Sequence, residues 1–387
     1  MPRPAVLNAS SLLATLTLAC SITLGQEPAP TQPPATRPSQ TDQRPADAPR
    51  RPNAQPGGGR RNADAANVPV PDDIQLVRDV VYSTAPGKDG TNIELKMDCA
   101  FLKKSDGQPM PVIIYIHGGG WSGGNRNMGL PFSIAFARGG YFACTISYRL
   151  SGEAIFPAQV HDVKAAVRFI REHAEQLVID PDCIGVWGHS AGGHLSAMLG
   201  VTGNDHSLDG PVNDKSAGSE VQAVVDVSGP TDLVRIAPGG NGGPMISQFL
   251  GGTVREKQDE AKAASPVNYV DAKDAPFLII QGGQDTLVPD EQAEVMRDAL
   301  KKAGVECEYL YIAESGHGVP DRRAFQATAE FFDKHLGGKS VEAFAELGRR
   351  FPGVAGGGEG GAGDGAGAGR PRRPNARPQS QPATQPQ

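Results

Sequence analysis

The sequence predicts an α/β fold in which a mostly parallel central sheet is covered by helices on both faces. Apolar, β-branched runs at 111–116 and 141–148 have the composition of strands that are buried on both sides. Segment 157–177 carries apolar residues at helical spacing with charged residues between them, as an amphipathic helix does. Such an alternation of strands and helices is typical of a parallel sheet.

The other predicted elements continue this alternation. Strands are predicted at 183–187, 221–227, 276–280 and 307–312, and helices at 191–201 and 291–303. Segments 76–82 and 93–101 come before the alternating region, and we predict that they add antiparallel edge strands.

The two ends of the chain differ in composition from its middle, because they are rich in Pro, Gly, Ala and Gln and poor in large apolar side chains. Such segments cannot bury enough apolar surface to offset the entropy of ordering. We therefore predict a signal peptide at 1–25, a disordered Pro-rich linker at 26–68, one folded domain at 69–340 and a disordered Gly/Ala/Pro-rich tail at 341–387.

The first 25 residues have the pattern of a secretory signal. Arg3 supplies a positive charge, residues 14–24 are apolar, and small residues precede a predicted cleavage site near Gly25. Lipidation at Cys20 is the less favoured alternative, since Thr17 replaces the expected Leu. We expect a secreted or periplasmic protein with no stable membrane insertion after cleavage.

Four cysteines lie beyond the predicted signal: Cys99, Cys144, Cys183 and Cys307. Export would permit disulfides. Each cysteine sits in or beside an apolar, strand-like run, where a thiol packs as a small hydrophobic group. We predict buried thiols, with disulfides as the open alternative.

The charge balance argues against nucleic-acid binding. The formal net charge is −6, and the Arg-bearing ends leave the predicted folded domain more acidic still. A surface of that sign repels a phosphate backbone. We therefore expect no nucleic-acid partner.

A nucleophile motif lies between a predicted strand and a predicted helix. Residues 188–192 read Gly-His-Ser-Ala-Gly and match G-x-S-x-G. In that context the turn is tight and strained, only small neighbours fit, and the serine hydroxyl is lifted above the sheet at a helix N-terminus. This predicts Ser190 as the nucleophile.

A glycine-rich loop follows the predicted strand at 111–116. Residues 117–121 read His-Gly-Gly-Gly-Trp, and glycines let backbone N–H groups turn toward a substrate where a β-carbon would clash. We predict an oxyanion hole formed by the N–H groups of Gly119, Gly120 and Ala191, with Trp121 contacting the substrate.

The base must come from one of eight histidines. Seven of them have other expected places: His117 bonded to its own loop, His189 pointing away from the nucleophile, His194 packed in a helix, His161, His173 and His335 on helical surfaces, and His206 in a polar loop. Only His317 follows a late strand in a loop flanked by glycines. We predict His317 as the general base.

The acid that orients this base is predicted to be Asp285, at the end of the run that begins at Phe277. Asp232, after the preceding strand, is the alternative. The order Ser190, Asp285, His317 along the chain is that of α/β hydrolases.

At these residues the chain resembles the α/β-hydrolase superfamily. It is most similar to the carbohydrate-esterase-like group that includes bifunctional feruloyl and acetylxylan esterases, near the hormone-sensitive-lipase-type esterases. The resemblance is carried by 117–125, 156–170, 179–195, 281–289 and 314–318. It implies an α/β-hydrolase fold, a Ser-His-Asp triad, and neither cofactor nor metal.

The resemblance also implies a substrate class. Hormone-sensitive-lipase-type enzymes build a helical cap from sequence before the first strands, and here that region is the Pro-rich linker. The cap candidate is therefore the segment 236–268, with Met245, Ile246, Phe249 and Leu250 as its apolar face. A thin cap favours a short acyl ester, acetyl or feruloyl, on a small molecule or polysaccharide. Two alternatives stay open: an amidase, formamidase or peptidase with the same triad, and a cell-wall-associated interaction protein.

Overall fold

The computed structural model describes residues 68–104, 107–203, 205–210, 217–236 and 243–338. The predicted signal peptide, nearly all of the linker and the C-terminal tail lie outside these ranges. None of the helices in the described ranges has the length and apolar character needed to cross a bilayer.

Eight strands of the described ranges form one mixed sheet. In chain order they are β1 Ile74–Pro86, β2 Asn92–Leu102, β3 Met110–Ile116, β4 Phe142–Ile146, β5 Ile179–His189, β6 Ala223–Val227, β7 Phe277–Gly282 and β8 Cys307–Ile312. The spatial order is β1-β2-β4-β3-β5-β6-β7-β8. The pairs β1–β2 and β2–β4 are antiparallel, and the five remaining pairs are parallel.

The helices connect and cover these strands. They are α1 Leu130–Arg138, α2 Ala158–Glu172, α3 Ala174–Leu177, α4 Ala191–Thr202, α5 Gly243–Leu250, α6 Gln258–Ala263, α7 Asp290–Ala303 and α8 Arg322–Leu336. Short 3₁₀ helices occupy Arg126–Gly129, His206–Leu208 and Pro266–Asn268.

Helices cover the sheet on both faces because successive strand residues point in opposite directions. In β3, Val112 and Ile114 belong to one hydrophobic cluster and Ile113 and Tyr115 to the other. The first cluster is closed by α2, α4, α5 and α7, and the second by α1 and α8. The predicted fold class, a mostly parallel sheet between two helical layers, is therefore confirmed.

Every predicted strand and helix occurs in the structure; the strand at 307–312 has the predicted ends, and the other elements have shifted ends. The predicted helix at 157–177 is two helices that meet at His173, and strand β2 lies inside the sheet between β1 and β4 instead of at its edge. Helix α1 has no counterpart in the prediction. Almost all of its residues are buried, so its sequence lacks the polar face by which a surface helix is recognised.

The parallel strands bring the predicted site residues to one edge of the sheet. The loop at 117–125 follows β3, Ser190 follows β5, Asp285 follows β7 and His317 follows β8. Since the carboxyl ends of parallel strands lie at the same edge, these loops converge there.

Candidate active site

Ser190 occupies a sharp turn between β5 and α4. Its backbone has φ 59° and ψ −121°, a conformation that L-residues rarely adopt. The turn is fixed by its neighbours, since the Ser190 N–H donates to the Val227 carbonyl at 2.8 Å. A β-carbon on Gly188 would come within 2.5 Å of the Ile116 carbonyl oxygen, and one on Gly192 would clash with the same oxygen. The glycines of the motif are therefore required by close packing of the turn on β3.

The loop after β3 presents free backbone donors beside this turn. Gly119 and Gly120 have φ of 116° and 59°, in the left-handed region that favours glycine. Across the described residues, the N–H groups of Gly119, Gly120 and Ala191 have no protein acceptor. Unpaired N–H groups at a helix N-terminus and an adjacent glycine loop are suited to bind an oxyanion.

His117 holds this loop in place. Its Nδ1 lies 2.8 Å from the Gly118 carbonyl oxygen, and its ring stacks on Tyr148 at 4.3 Å between ring centres. The Tyr148 hydroxyl donates to the His117 carbonyl at 2.9 Å. Burial lowers the pKa of His117 to about 4, so its ring is neutral and structural at neutral pH.

Asp285 and His317 form a hydrogen-bonded pair. The His317 Nδ1 lies 2.7 Å from the Asp285 Oδ2, and the Asp285 side chain is fully buried. Its other oxygen accepts the N–H groups of Leu287 and Val288, each at 2.9 Å. Burial opposes ionisation of Asp285, but these bonds and the bond from His317 hold its pKa below its usual value. The pair thus has a fixed, ionised carboxylate that sets the tautomer of the histidine.

The alternative acid, Asp232, has different partners. Its carboxylate accepts the backbone N–H groups of Val234 and Arg235 and pairs with the Arg235 guanidinium at 3.1 Å. The backbone N–H of Asp232 donates to Gln292 Oε1 at 2.7 Å. Asp232 therefore organises the loop after β6, and the bond to His317 is made by Asp285.

His189 lies closer to His317, the predicted base, than its sequence position suggested. Its ring centre is 4.6 Å from that of His317, with the two rings tilted by 53°. Burial, followed by the neighbouring His317, lowers the pKa of His189 to about 3. The His189 ring is therefore neutral near neutral pH, and it packs against His317 without competing for a proton.

The prediction that Trp121 contacts the substrate is not supported by its position. Its side chain is 3% exposed and stacks on Phe249 at 4.4 Å between ring centres. Its Nε1 donates to the Nδ1 of His194, whose Nε2 lies 2.7 Å from the Ala264 carbonyl oxygen. Trp121 thus links the glycine loop to the segment after β6, and its role is in packing.

The cap candidate is a short helical excursion packed on the main core. The described part of 236–268 contains α5, α6 and a 3₁₀ turn, and Ile246, Phe249 and Leu250 are buried in the first cluster. Met245 is half-buried, and its thioether would clash with a β-carbon on Gly120. This thioether therefore lies directly beside the predicted oxyanion loop, a neighbour that sequence spacing could not indicate.

A buried carboxyl lies behind the Ser190 turn. Asp226 is 1% exposed, its Oδ1 accepts the Gly229 N–H at 2.9 Å, and its Oδ2 has no hydrogen-bond partner in the described ranges. A β-carbon on Gly193 of helix α4 would collide with Oδ1. Burial raises the pKa of Asp226 from 3.8 to about 7.

We expect Asp226→Asn to stabilise the fold increasingly as pH rises. Because the folded-state pKa lies above the ordinary value, the carboxyl contributes its full stability below about pH 4 and loses it as pH rises through about 7. The loss is about 4 kcal/mol at most. In urea unfolding, the free energy of unfolding of the variant should exceed that of the wild type by more at pH 8 than at pH 5. Asp259→Asn, at a side chain that is 97% exposed, is the control and should show no such trend.

The chain is similar to known esterases both in sequence and in structure. The BD-FAE family profile matches residues 97–300. Esterase LipQ of Mycobacterium tuberculosis is 33% identical over 238 residues, which are 58% of this chain and 55% of LipQ. The chain spans about half the length of the curated relatives it matches.

Two solved structures have the same fold. A truncated carbohydrate esterase from gut microbiota is 30% identical with a TM-score of 0.59, and the match covers 68% of this chain and 96% of that one. The thermophilic esterase Est2 of the planctomycete Thermogutta terrifontis is 25% identical with a TM-score of 0.57, covering 70% and 96%. Both matches extend over nearly the whole length of the solved chains.

Proposed function

The chain belongs to the BD-FAE family of α/β-hydrolase proteins, and from that membership we propose that it is a serine esterase with Ser190 as nucleophile, His317 as base and Asp285 as orienting acid. The observation that carries the proposal is the 2.7 Å bond between His317 and the buried Asp285 carboxylate, on the sheet edge where β5 ends in the strained Ser190 turn. The names of the matched relatives support ester chemistry.

In the proposed reaction the ester carbonyl binds with its oxygen at the N–H groups of Gly119, Gly120 and Ala191. Ser190 Oγ attacks the carbonyl carbon as His317 Nε2 takes its proton, and Asp285 stabilises the resulting imidazolium. The imidazolium then protonates the leaving alkoxide, which departs and leaves an acyl group on Ser190. Water, deprotonated by His317, attacks this acyl group and frees the acid and the serine hydroxyl.

We propose short acyl esters, acetyl or feruloyl, as the substrate class, with the alcohol on a carbohydrate. Two features support this. The name of one structural neighbour is carbohydrate esterase, and the described cap is a short segment that leaves Met245 as a close apolar neighbour of the oxyanion loop. Export to the cell exterior, where polysaccharides are met, remains a prediction from the first 25 residues.

The substrate proposal is tested with p-nitrophenyl esters of increasing acyl length, followed by acetylated xylan and methyl ferulate. We expect kcat/KM for the acetyl ester to exceed that for the octanoyl ester by at least about tenfold, and acetate or ferulate to be released from the natural-type esters. Ser190→Ala provides the background rate.

The competing functions give different results in the same assays. Cleavage of p-nitroacetanilide or N-formylkynurenine with no turnover of esters would identify an amidase or formamidase. Retention of the full chain on insoluble cell-wall polymer, lost on deletion of 341–387 and accompanied by no hydrolysis, would identify an interaction protein.

A further inference from the structure

Two cysteines face each other across the antiparallel pair β2–β4. Cys99 and Cys144 are direct register partners, and their sulfur atoms lie 3.0 Å apart. Both residues are essentially inaccessible, at 0% and 1% exposure, and both are free thiols. They belong to the same hydrophobic cluster, so both side chains point to the same face of the sheet.

The backbone geometry at this pair fits a covalent link. Directly opposed residues of antiparallel strands have Cα atoms about 4.5–5.5 Å apart, and disulfides span Cα separations of about 4.4–6.8 Å. On one side of the cysteines, Met97 is paired with Ile146 in the same register, and on the other side the rings of Phe101 and Phe142 stack at 5.4 Å. These neighbours hold the two sulfur atoms toward each other, and bond formation needs a movement of only about 1 Å.

We propose that Cys99 and Cys144 are a modification site that forms a cross-strand disulfide when the protein folds in an oxidising compartment. Two S–H bonds break and one S–S bond forms, with loss of two protons and two electrons. The electrons reduce a disulfide-bearing oxidant, such as oxidised glutathione or a thiol–disulfide oxidoreductase, to two thiols. The predicted export would bring the chain into such a compartment.

Burial fixes the time at which the bond forms. Thiol–disulfide exchange requires a thiolate, and burial raises the pKa of Cys99 well above its usual value. The folded, reduced protein therefore resists oxidation at this site. The bond forms while β2 and β4 are coming together, and afterwards it is shielded from reductants.

The other two described cysteines provide an internal comparison. Cys183 and Cys307 are half-buried and lie on β5 and β8, with β6 and β7 between them. Three strand spacings separate them by roughly 14 Å, beyond the reach of a disulfide. These thiols should stay free under conditions that link Cys99 to Cys144.

The test is refolding of the full chain from the denatured, reduced state, in a glutathione redox buffer or in dithiothreitol. Free thiols are then alkylated under denaturing conditions, and unreduced peptides are mapped by mass spectrometry. We expect the Cys99–Cys144 peptide pair in most molecules refolded in the redox buffer. We expect no link when the chain is folded in dithiothreitol, freed of dithiothreitol and only then given oxidised glutathione. The linked protein should melt higher by roughly 5 °C or more.

If the chain does not refold from the denatured state, a second preparation tests the same proposal. The chain is exported to a bacterial periplasm that has, or lacks, an active disulfide-forming oxidase, and it is mapped in the same way. A Cys183→Ala/Cys307→Ala variant should keep the linked peptide. Alkylated Cys99 and Cys144 after oxidative folding, or links from either of them to Cys183 or Cys307, would overturn the proposal.

Discussion

Replacing Ser190 by Ala is expected to lower kcat for p-nitrophenyl acetate by roughly 10⁵–10⁶-fold, the scale at which loss of the nucleophile acts in serine proteases. The alanine variant keeps the N–H groups of the glycine loop and the Asp285–His317 bond, so substrate binding should change little. KM is therefore expected to stay within about threefold of the wild-type value. The measurement is steady-state kinetics after correction for spontaneous hydrolysis.

The folded state should survive this change. Alanine adopts the same φ of 59° with no greater strain than serine, and the N–H bond to the Val227 carbonyl is a backbone interaction. An unchanged melting temperature would show this. Ser247→Ala is a matched control, since within the described ranges its half-buried hydroxyl donates to the Gly243 carbonyl of α5 alone. Loss of activity in both variants, or in neither, would remove Ser190 from the mechanism.

Asp285→Asn is expected to lower kcat by roughly 10⁴-fold, as the equivalent change does in serine proteases. The amide oxygen can still accept the N–H groups of Leu287 and Val288, so the loop should keep its shape. The amide NH₂ would then face His317 Nδ1 and donate to it. His317 would carry its proton on Nε2, where it could not accept the Ser190 proton.

The control for this variant is Asp232→Asn, at the carboxylate that was the alternative acid. Its bonds to the Val234 and Arg235 N–H groups can be kept by the amide oxygen, and we expect activity within about twofold of wild type. A large loss of activity in Asp232→Asn with little loss in Asp285→Asn would identify Asp232 as the orienting acid instead of Asp285. In the double variant Ser190→Ala/Asp285→Asn, kcat should fall by about as much as in Ser190→Ala alone, because effects on kcat are not additive for residues that act as a unit.

Much of the sheet was predictable because its strands have a strong local signature. The runs in β3 and β4 are buried and apolar or β-branched, and each precedes a loop with glycine. Their order along the chain, with helices between, implies parallel pairing and hence one shared edge. The resemblance and the glycine-flanked motifs then indicated where Ser190, Asp285 and His317 would meet.

What the sequence did not reveal depends on tertiary packing. Helix α1 is almost wholly buried and therefore has no amphipathic period. The stacking of Trp121 on Phe249 joins residues that are distant in the chain. The sequence alone therefore predicts substrate contact for Trp121, because it shows only that this side chain follows the glycine loop. The contact between His189 and His317 likewise depends on how two loops meet at the sheet edge.

Covalent labelling shows whether Ser190 is an activated nucleophile. Wild-type protein is treated with paraoxon, whose phosphoryl group accepts attack by an activated serine, and the adduct is located by peptide mass spectrometry. We expect one diethylphosphoryl group per chain, on Ser190, with labelling strongly slowed in Asp285→Asn and absent in Ser190→Ala. Ester hydrolysis by a protein that takes no label, or takes it on another residue, would show that Ser190 is not the nucleophile.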